Sequence, residues 1–188
     1  QDQGFGSRQH GRRVDDHVTV LRSGLVQQRL GGTGEERHHY VLQEMSLKYP
    51  GRMGLSIGFT DELAHQIIAG SDIFLMPSRY EPCGLDQMYC LRYGTIPVVR
   101  ATGGLDGTVQ ECDPATGAGS GFKFSGYTPA ELLAAVKRAL AIYQQPAVWE
   151  ALMKSNMALD YSWGKTAAPK YVDVYRLAVE KRQRLLGG

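Results

Sequence analysis

Residues 72–105 decide the fold, and they read DIFLMPSRYEPCGLDQMYCLRYGTIPVVRATGGL. The two compact apolar runs in this stretch, at 73–76 and 96–99, are typical of buried strands. Residues 84–93 predict a helix between them, and Gly94 is a typical C-terminal stop. Strands that alternate with helices predict an α/β fold, in which a parallel sheet is covered by helices on both faces.

The same alternation continues on both sides of this stretch. Further helices are expected at 33–49, 61–69, 129–143, 146–158 and 168–186, and further strands at 53–59 and 122–124. A glycine turn is expected at 102–104. Tyr161 and Trp163 are expected to anchor the last helix to the core.

The composition is that of a globular protein with one core of moderate size. The chain has 188 residues, of which 43% are hydrophobic and 21% charged, and its net charge is +2. A charge so close to neutrality gives no reason to expect nucleic acid or an anionic membrane as a partner. No apolar run reaches the roughly 18 residues of a transmembrane helix, so none is expected.

The three cysteines, Cys83, Cys90 and Cys112, contain no Cys-x-x-Cys pair. A disulfide framework and a structural zinc site are therefore not expected, and a reducing, cytoplasmic setting fits best. His38 and His39 have no partner at metal-ligand spacing, so we expect no metal site.

The start of the chain differs in composition from the rest. Residues 1–32 hold five Arg, no Lys, six Gly and five Gln, and their apolar residues follow neither a helical nor a strand period. Periodic elements begin at Thr33. We therefore divide the chain into an atypical N-terminal segment, 1–31, and a Rossmann-like domain, 32–188.

Parallel sheets bind ligands at the carboxyl ends of their strands, which directs attention to Phe59 and to residues 77–86 and 100–106. Pro82 holds Glu81 extended, so that its carboxylate projects from a strand end. Gly84 lets the backbone approach a ligand, and the N–H groups at the helix start after it favour an anion. This combination suits a sugar that carries phosphate. A solvated acid and a packing glycine would give the same spacing.

A second glycine-rich loop, Thr102-Gly103-Gly104, follows the next strand. Two adjacent glycines and a hydroxyl can cradle a phosphate or a sugar, although most Gly-Gly pairs are simple turns. Two such loops on neighbouring strands would converge on one place, and this strengthens the prediction of a binding site.

Residues 72–105 closely resemble the C-terminal domain of bacterial glycogen synthases, and starch synthases share the pattern. The resemblance extends from about residue 32 to the end of the chain, including 63–65, 69–72 and 161–163. It implies the C-terminal half of a two-domain glycosyltransferase of the GT-B type. Such an enzyme is a retaining glucosyltransferase that uses ADP-glucose, without a further cofactor, to extend an α-1,4-glucan. The resemblance also implies a bacterial cytoplasmic location, with a plastid as the open alternative.

The resemblance assigns roles to individual positions. Glu81 would be the essential carboxylate near the transferred glucose. The donor-binding positions would be Phe59, Ser78, Arg79, Cys83, Gly84, Leu85, Asp86, Thr102, Gly103 and Gly104. Phe59 falls where an aromatic ring, commonly Tyr, stacks on the adenine. Asp86 stands where the family more often has Thr or Asn, and its negative charge beside a pyrophosphate should weaken binding.

Two departures from the family pattern concern the N-terminal side. The family's N-terminal domain is missing, together with a glycine-rich donor loop and a histidine that complete the site. Residues 1–5 look like the family's Gln-Lys-Gly segment without its lysine. We hypothesise a reading-frame error between Gly4 and Gly31, which would prevent residues 1–31 from forming their strand and helix and leave an exposed sheet edge. A chain with only this half of the cleft is expected to have little or no synthase activity.

Two alternatives stay open at this point. A non-catalytic module could bind a nucleotide or a glucan through the same loops. A related nucleotide-sugar enzyme, such as a family 4-like transferase or an epimerase, is the other alternative. Many of those enzymes carry a second Glu eight residues after the first, and here that position is Tyr89.

Overall fold

A six-stranded sheet forms the centre of the computed structural model, which describes residues 16–22, 25–31, 36–57 and 60–186. The strands are β1 (Asp16–Arg22), β2 (Leu25–Gly31), β3 (Met53–Ile57), β4 (Ile73–Met76), β5 (Ile96–Arg100) and β6 (Phe122–Phe124). Their order across the sheet is β3-β2-β1-β4-β5-β6. β4, β5 and β6 pair in parallel, and so do β2 and β3. The α/β architecture predicted from the sequence is therefore confirmed.

One strand departs from the predicted parallel arrangement. β1 pairs antiparallel with both of its neighbours, with Thr19 opposite Gln28 on β2 and opposite Leu75 on β4. Together β1 and β2 form a hairpin that fills the sheet between β3 and β4. A short connection between two adjacent strands forces them to run in opposite directions, which explains the reversal.

The hairpin also differs from the expectation for residues 1–31. The reading-frame hypothesis predicted that residues 1–31 do not form their strand and helix and leave an exposed sheet edge, whereas residues 16–22 pair along their whole length with residues 25–31. Strand pairing uses backbone groups, so a segment without side-chain periodicity can still complete a sheet. Residues 1–15 lie outside the described part of the chain, and the reading-frame hypothesis, which concerns the gene, stays a prediction.

Seven α-helices are present in the described residues. They are α1 (Glu36–Lys48), α2 (Asp61–Ala69), α3 (Asp86–Tyr93), α4 (Gly103–Thr108), α5 (Pro129–Tyr143), α6 (Pro146–Met157) and α7 (Ala168–Leu186). Their ends follow local signals in the sequence. The Thr128 hydroxyl accepts a hydrogen bond from the Glu131 N–H at the start of α5, and Gly94 ends α3 with a φ of +82°. The predicted glycine turn at 102–104 is instead the beginning of α4.

The sheet buries side chains on both of its faces, as predicted. On β4, Ile73 and Leu75 pack with α5 and α6, whereas Phe74 and Met76 pack with residues of α2 and α3 and with Leu105 of α4. All four are at most 7% exposed. This alternation follows from the two-residue period of a strand and places β4 and β5 at the centre of the core.

The C-terminal helix α7 is built differently from the others. It has no buried residue, and it exposes Tyr, Val and Leu side chains. The expectation that Trp163 anchors this helix to the core is wrong, because Trp163 is 65% exposed and packs on Tyr171 with ring centroids 5.2 Å apart. Among the helices of the described residues, none combines the length and apolarity that crossing a membrane requires.

Two positions on α5 test this account of the core. Ile142 is 2% exposed and belongs to the cluster under β4 and β5, whereas Leu140 on the same helix is 40% exposed. Ile142→Ala should lower the free energy of unfolding by about 2–5 kcal/mol, because it opens a cavity. Leu140→Ala should change it by only about 0.5 kcal/mol. Urea denaturation measures both, and equal losses would contradict the assignment of the buried face.

Candidate functional site

The candidate site lies where two neighbouring strands end. β4 and β5 pair in parallel, with Met76 opposite Val99, so the segments that follow them leave the same end of the sheet. We call residues 77–85 the first loop and residues 101–104 the second loop. α3 begins directly after the first loop, and α4 begins within the second.

The two loops are in direct backbone contact. The Gly104 N–H donates a hydrogen bond of 3.0 Å to the carbonyl oxygen of Glu81. A Cβ atom on Gly103 would overlap the Glu81 carbonyl, and one on Gly104 would overlap the carbonyl of Cys83. The two glycines are therefore required by the close approach of the loops, and the convergence expected of two neighbouring strand ends is present.

A third glycine shapes the turn into α3. Gly84 has a φ of +69°, a conformation that favours glycine, and a Cβ at this position would overlap the side chain of Gln87. Leu85 is the N-cap of α3 and is 56% exposed, and Asp86 lies in the first helical turn. The first N–H groups of a helix have no acceptor within the helix, so this turn presents donors beside the first loop.

The other predicted residues of the first loop differ in their exposure. Glu81 is half-buried, and Cys83 and Arg79 are exposed. Ser78 is 3% exposed. In the second loop, Thr102 is half-buried and is the N-cap of α4.

Arg100 holds the base of the first loop, a function that the sequence analysis missed. Its Nη1 donates to the carbonyl oxygens of Arg79 at 2.8 Å and Ser78 at 3.4 Å, and its Nε donates to the carbonyl of Ser125 at 3.1 Å. The guanidinium also lies over the Tyr127 ring, 5.5 Å from the centroid. An arginine at the end of a buried apolar strand was the signal that could have drawn attention to it.

The cysteines differ sharply in their chemistry. Burial, and secondly the negative charge of Asp86, raise the pKa of the Cys90 thiol well above its usual value. Burial also raises the pKa of Cys112. Cys83 is the exposed thiol of the three. In the part of the chain that the structure describes, no group of three or more His, Cys, Asp or Glu could hold a metal ion.

Two further features lie away from the loops. A cavity of about 700 Å³ opens between α3 and residues 157–165, and its lining includes Tyr89, Arg92 and Tyr161 but none of the predicted site residues. Phe59, the predicted adenine-stacking residue, lies outside the described residues. The strand before it, β3, is separated from β4 by β2 and β1. Three strand spacings amount to about 14 Å, so the end of β3 does not adjoin the first loop.

Comparison with known proteins identifies the relatives of this chain. No family model matches it. A glycogen synthase of Koribacter versatilis is 48% identical over 151 residues, which are 80% of this chain and 31% of the relative. A glycogen synthase of Fervidobacterium nodosum is 50% identical over 171 residues, 91% of this chain and 34% of the relative.

The solved structures agree with these relatives. The catalytic domain of Starch Synthase IV from Arabidopsis thaliana, in a structure with ADP and acarbose bound, matches with a TM-score of 0.67 and 34% identity. The match covers 77% of this chain and 30% of that chain. A sucrose-phosphate synthase from Thermosynechococcus elongatus, 22% identical with a TM-score of 0.56, shares the fold.

The fold and the joined strand-end loops define a Rossmann-like domain of a GT-B glycosyltransferase. More particularly, the chain belongs to the family of glycogen synthases and starch synthases, which confirms the resemblance seen in the sequence. It spans 31–34% of the length of the curated relatives named above.

Two glycines of α4 test the close approach of the loops. Gly104→Ala should lower the free energy of unfolding by about 1–3 kcal/mol, because the new Cβ overlaps a carbonyl of the first loop. Gly107 has no atom within 4 Å of its Cβ position, and Gly107→Ala should stabilise the chain by up to about 1 kcal/mol. Urea denaturation compares the two variants. A Gly104→Ala variant as stable as Gly107→Ala would contradict the contact.

Proposed function

We propose that this chain is the donor-binding part of a retaining glucosyltransferase within a longer protein. The enzyme transfers glucose from ADP-glucose to the non-reducing end of an α-1,4-glucan. The observation that carries the proposal is the contact between the two loops, which holds Glu81 beside the start of α3. Identities of 48% and 50% to glycogen synthases support the reaction, and the starch synthase bound to ADP and acarbose supports the ligands.

Glu81 is the proposed catalytic residue. A retaining transfer develops positive charge on the glucose ring and negative charge on the departing diphosphate. A carboxylate held near the sugar stabilises the first of these charges. The half-buried position of Glu81 supports this role, because a preorganised charge that is partly shielded from water acts more strongly than a solvated one.

The N–H groups at the start of α3 are proposed to bind the diphosphate. Gly84, Leu85 and Asp86 would supply them, and the exposed side chains of Cys83 and Leu85 are proposed to line the same pocket. The Gly104 N–H already donates to the Glu81 carbonyl, so Gly103 and Gly104 are proposed to shape the pocket through the close approach of the two loops. The carboxylate of Asp86 lies in the turn that would receive the phosphates, and it is proposed to weaken their binding.

The remaining donor-binding positions are proposed on the resemblance. Phe59 would stack on the adenine, and Thr102 would contact the donor from the second loop. Arg79 is exposed and available to a ligand, whereas Ser78 contributes through the shape of the loop because its side chain is buried.

The acceptor and the rest of the cleft are proposed to require a further domain of the parent protein. Half a cleft cannot exclude water or hold both substrates, so this chain alone should not transfer glucose. The exposed Tyr, Val and Leu side chains of α7 support the need for more protein surface than the described residues supply. We propose a bacterial cytoplasm for the parent protein, with a plastid as the alternative.

Cys83 reports on donor binding. We expect N-ethylmaleimide to label Cys83 and to spare Cys90 and Cys112, which are buried. ADP at ten times its Kd should slow the labelling of Cys83 by roughly tenfold, because only about a tenth of the sites remain free. UDP serves as the comparison, and weaker protection by UDP would favour ADP-glucose as the donor. An unchanged rate at any ADP concentration contradicts the proposed pocket.

Glucose transfer is tested in a chimera. Residues 32–188 replace the matching part of the Koribacter versatilis glycogen synthase, and incorporation of labelled glucose into glycogen is measured. The chimera should be active, and Glu81→Gln should lower its kcat by about 10²–10³-fold while the Kd for ADP changes little. The 188-residue chain alone should incorporate none.

Each alternative predicts a different result. Incorporation of glucose into glycogen by this chain alone would contradict the proposal that its cleft is incomplete. Full activity of the Glu81→Gln chimera would overturn the role of Glu81. A chimera that binds ADP without transferring glucose would indicate a non-catalytic binding module.

A further inference from the structure

Gln87 is a fully buried side chain that bonds to both loops. It is the second residue of α3 and has no exposed surface. The two protons of its Nε2 are shared among the carbonyl oxygens of Cys83 and Gly84, each at 3.1 Å, and the Thr108 Oγ1 at 3.2 Å. The first two partners belong to the first loop, and Thr108 is the last residue of α4, which begins in the second loop.

Thr108 extends this contact back to the first loop. Its hydroxyl donates to the Gly104 carbonyl at 2.6 Å, and the Gly104 N–H donates to the Glu81 carbonyl at 3.0 Å. The hydrogen bonds from Gln87 to Thr108, from Thr108 to Gly104 and from Gly104 to Glu81, together with the chain from Glu81 to Gln87, form a closed circuit. The circuit therefore joins the proposed catalytic carboxylate's own backbone to the start of α3.

Only a hydrogen-bond donor fits the position of the Gln87 Nε2. The carbonyls of Cys83 and Gly84 can only accept, and the Thr108 hydroxyl has used its proton on Gly104, so it also accepts. Glu would bring acceptor oxygens to the same place, and Met would leave the acceptors without a donor. The same pattern fixes the orientation of the amide.

The two ends of the Gln87 amide differ in their hydrogen-bond partners. Its Oε1 is buried and has no hydrogen-bond partner in the described residues. A buried oxygen without a partner destabilises a fold, and an apolar side chain of the same length would avoid that cost. The hydrogen bonds of the amide therefore lie on Nε2, which contacts the first loop and Thr108.

We propose that Gln87 is a positioning residue, which sets the distance between the first and second loops and so the shape of the donor pocket. It does not touch the donor itself, because its side chain is fully buried behind Gly84. The effect on donor binding rests on the proposed function. The effect on the loops does not.

Asn156 provides a matched control for the test. It is also fully buried, its Nδ2 donates to the Ser120 carbonyl at 2.9 Å, and its Oδ1 has no partner in the described residues. It lies on α6, away from both loops. Gln87→Met and Asn156→Leu therefore remove the same kind of group from two buried sites, and only the first touches the loops.

The experiment measures two properties of the 188-residue chain. Hydrogen exchange of the Gly104 amide, followed by NMR, reports the contact between the loops, and calorimetric titration with ADP reports the pocket. In Gln87→Met, exchange at Gly104 should rise by about tenfold or more over the wild type, because local opening becomes easier. The Kd for ADP should rise by about tenfold. Asn156→Leu should leave both unchanged, even if it unfolds at lower denaturant.

Every outcome decides the proposal. Exchange at Gly104 that is as slow in Gln87→Met as in Asn156→Leu would overturn it, because Gln87 would then only fill space. If the wild-type chain does not bind ADP, the proposed function fails, while the exchange at Gly104 still decides the role of Gln87.

If Gln87→Met does not fold, Thr108→Val replaces it. This variant breaks the same circuit from the side of α4 and keeps the shape of the side chain. It should raise exchange at Gly104 to a similar extent, and wild-type exchange in Thr108→Val would overturn the proposal.

Discussion

The hydrogen bond from the Gly104 N–H to the Glu81 carbonyl is the contact on which the candidate site depends. It requires two backbone segments to approach more closely than any Cβ allows, and Gly103 and Gly104 meet that requirement. Because the bond joins the segments that follow β4 and β5, it holds Glu81 beside the start of α3. The buried amide of Gln87 and the base contacts of Arg100 act on the same loop, so its position is determined from three sides.

The layers around the sheet explain why these loops are well supported. β4 and β5 are buried on both faces, between α5 and α6 on one side and α2, α3 and α4 on the other. Loops that follow such strands begin at a fixed position, and a binding site needs rigid support of this kind for precise geometry. α7 presents the opposite case. It buries none of its own residues. The strands that support the site, β4 and β5, and the exposed apolar surface of α7 therefore lie in different parts of the fold.

The hairpin of β1 and β2 shows how a sheet can be completed without side-chain periodicity. β1 and β2 belong to the segment whose apolar residues follow no clear period, yet their backbones pair with β4 and β3 respectively. The unpaired backbone groups of a strand edge can pair with another segment, and this pairing uses the backbone rather than the side chains. The consequence for the site is that β3 lies at the far edge of the sheet, so the end of β3 and the first loop are not neighbours.

The sequence by itself determined the α/β class, the positions of β4, β5 and the main helices, and the two glycine-containing loops at the strand ends. Those features follow from local rules, because apolar runs, capping residues and glycines act over a few neighbouring residues. Tertiary structure alone decided the direction of β1, the exposure of Trp163 and the contacts of Arg100 and Gln87. Each of these depends on groups that are distant in the sequence, such as the Gln87 amide and the Thr108 hydroxyl, which lie 21 residues apart. A buried donor finds its acceptors only when the loops that carry them have been brought together by the sheet.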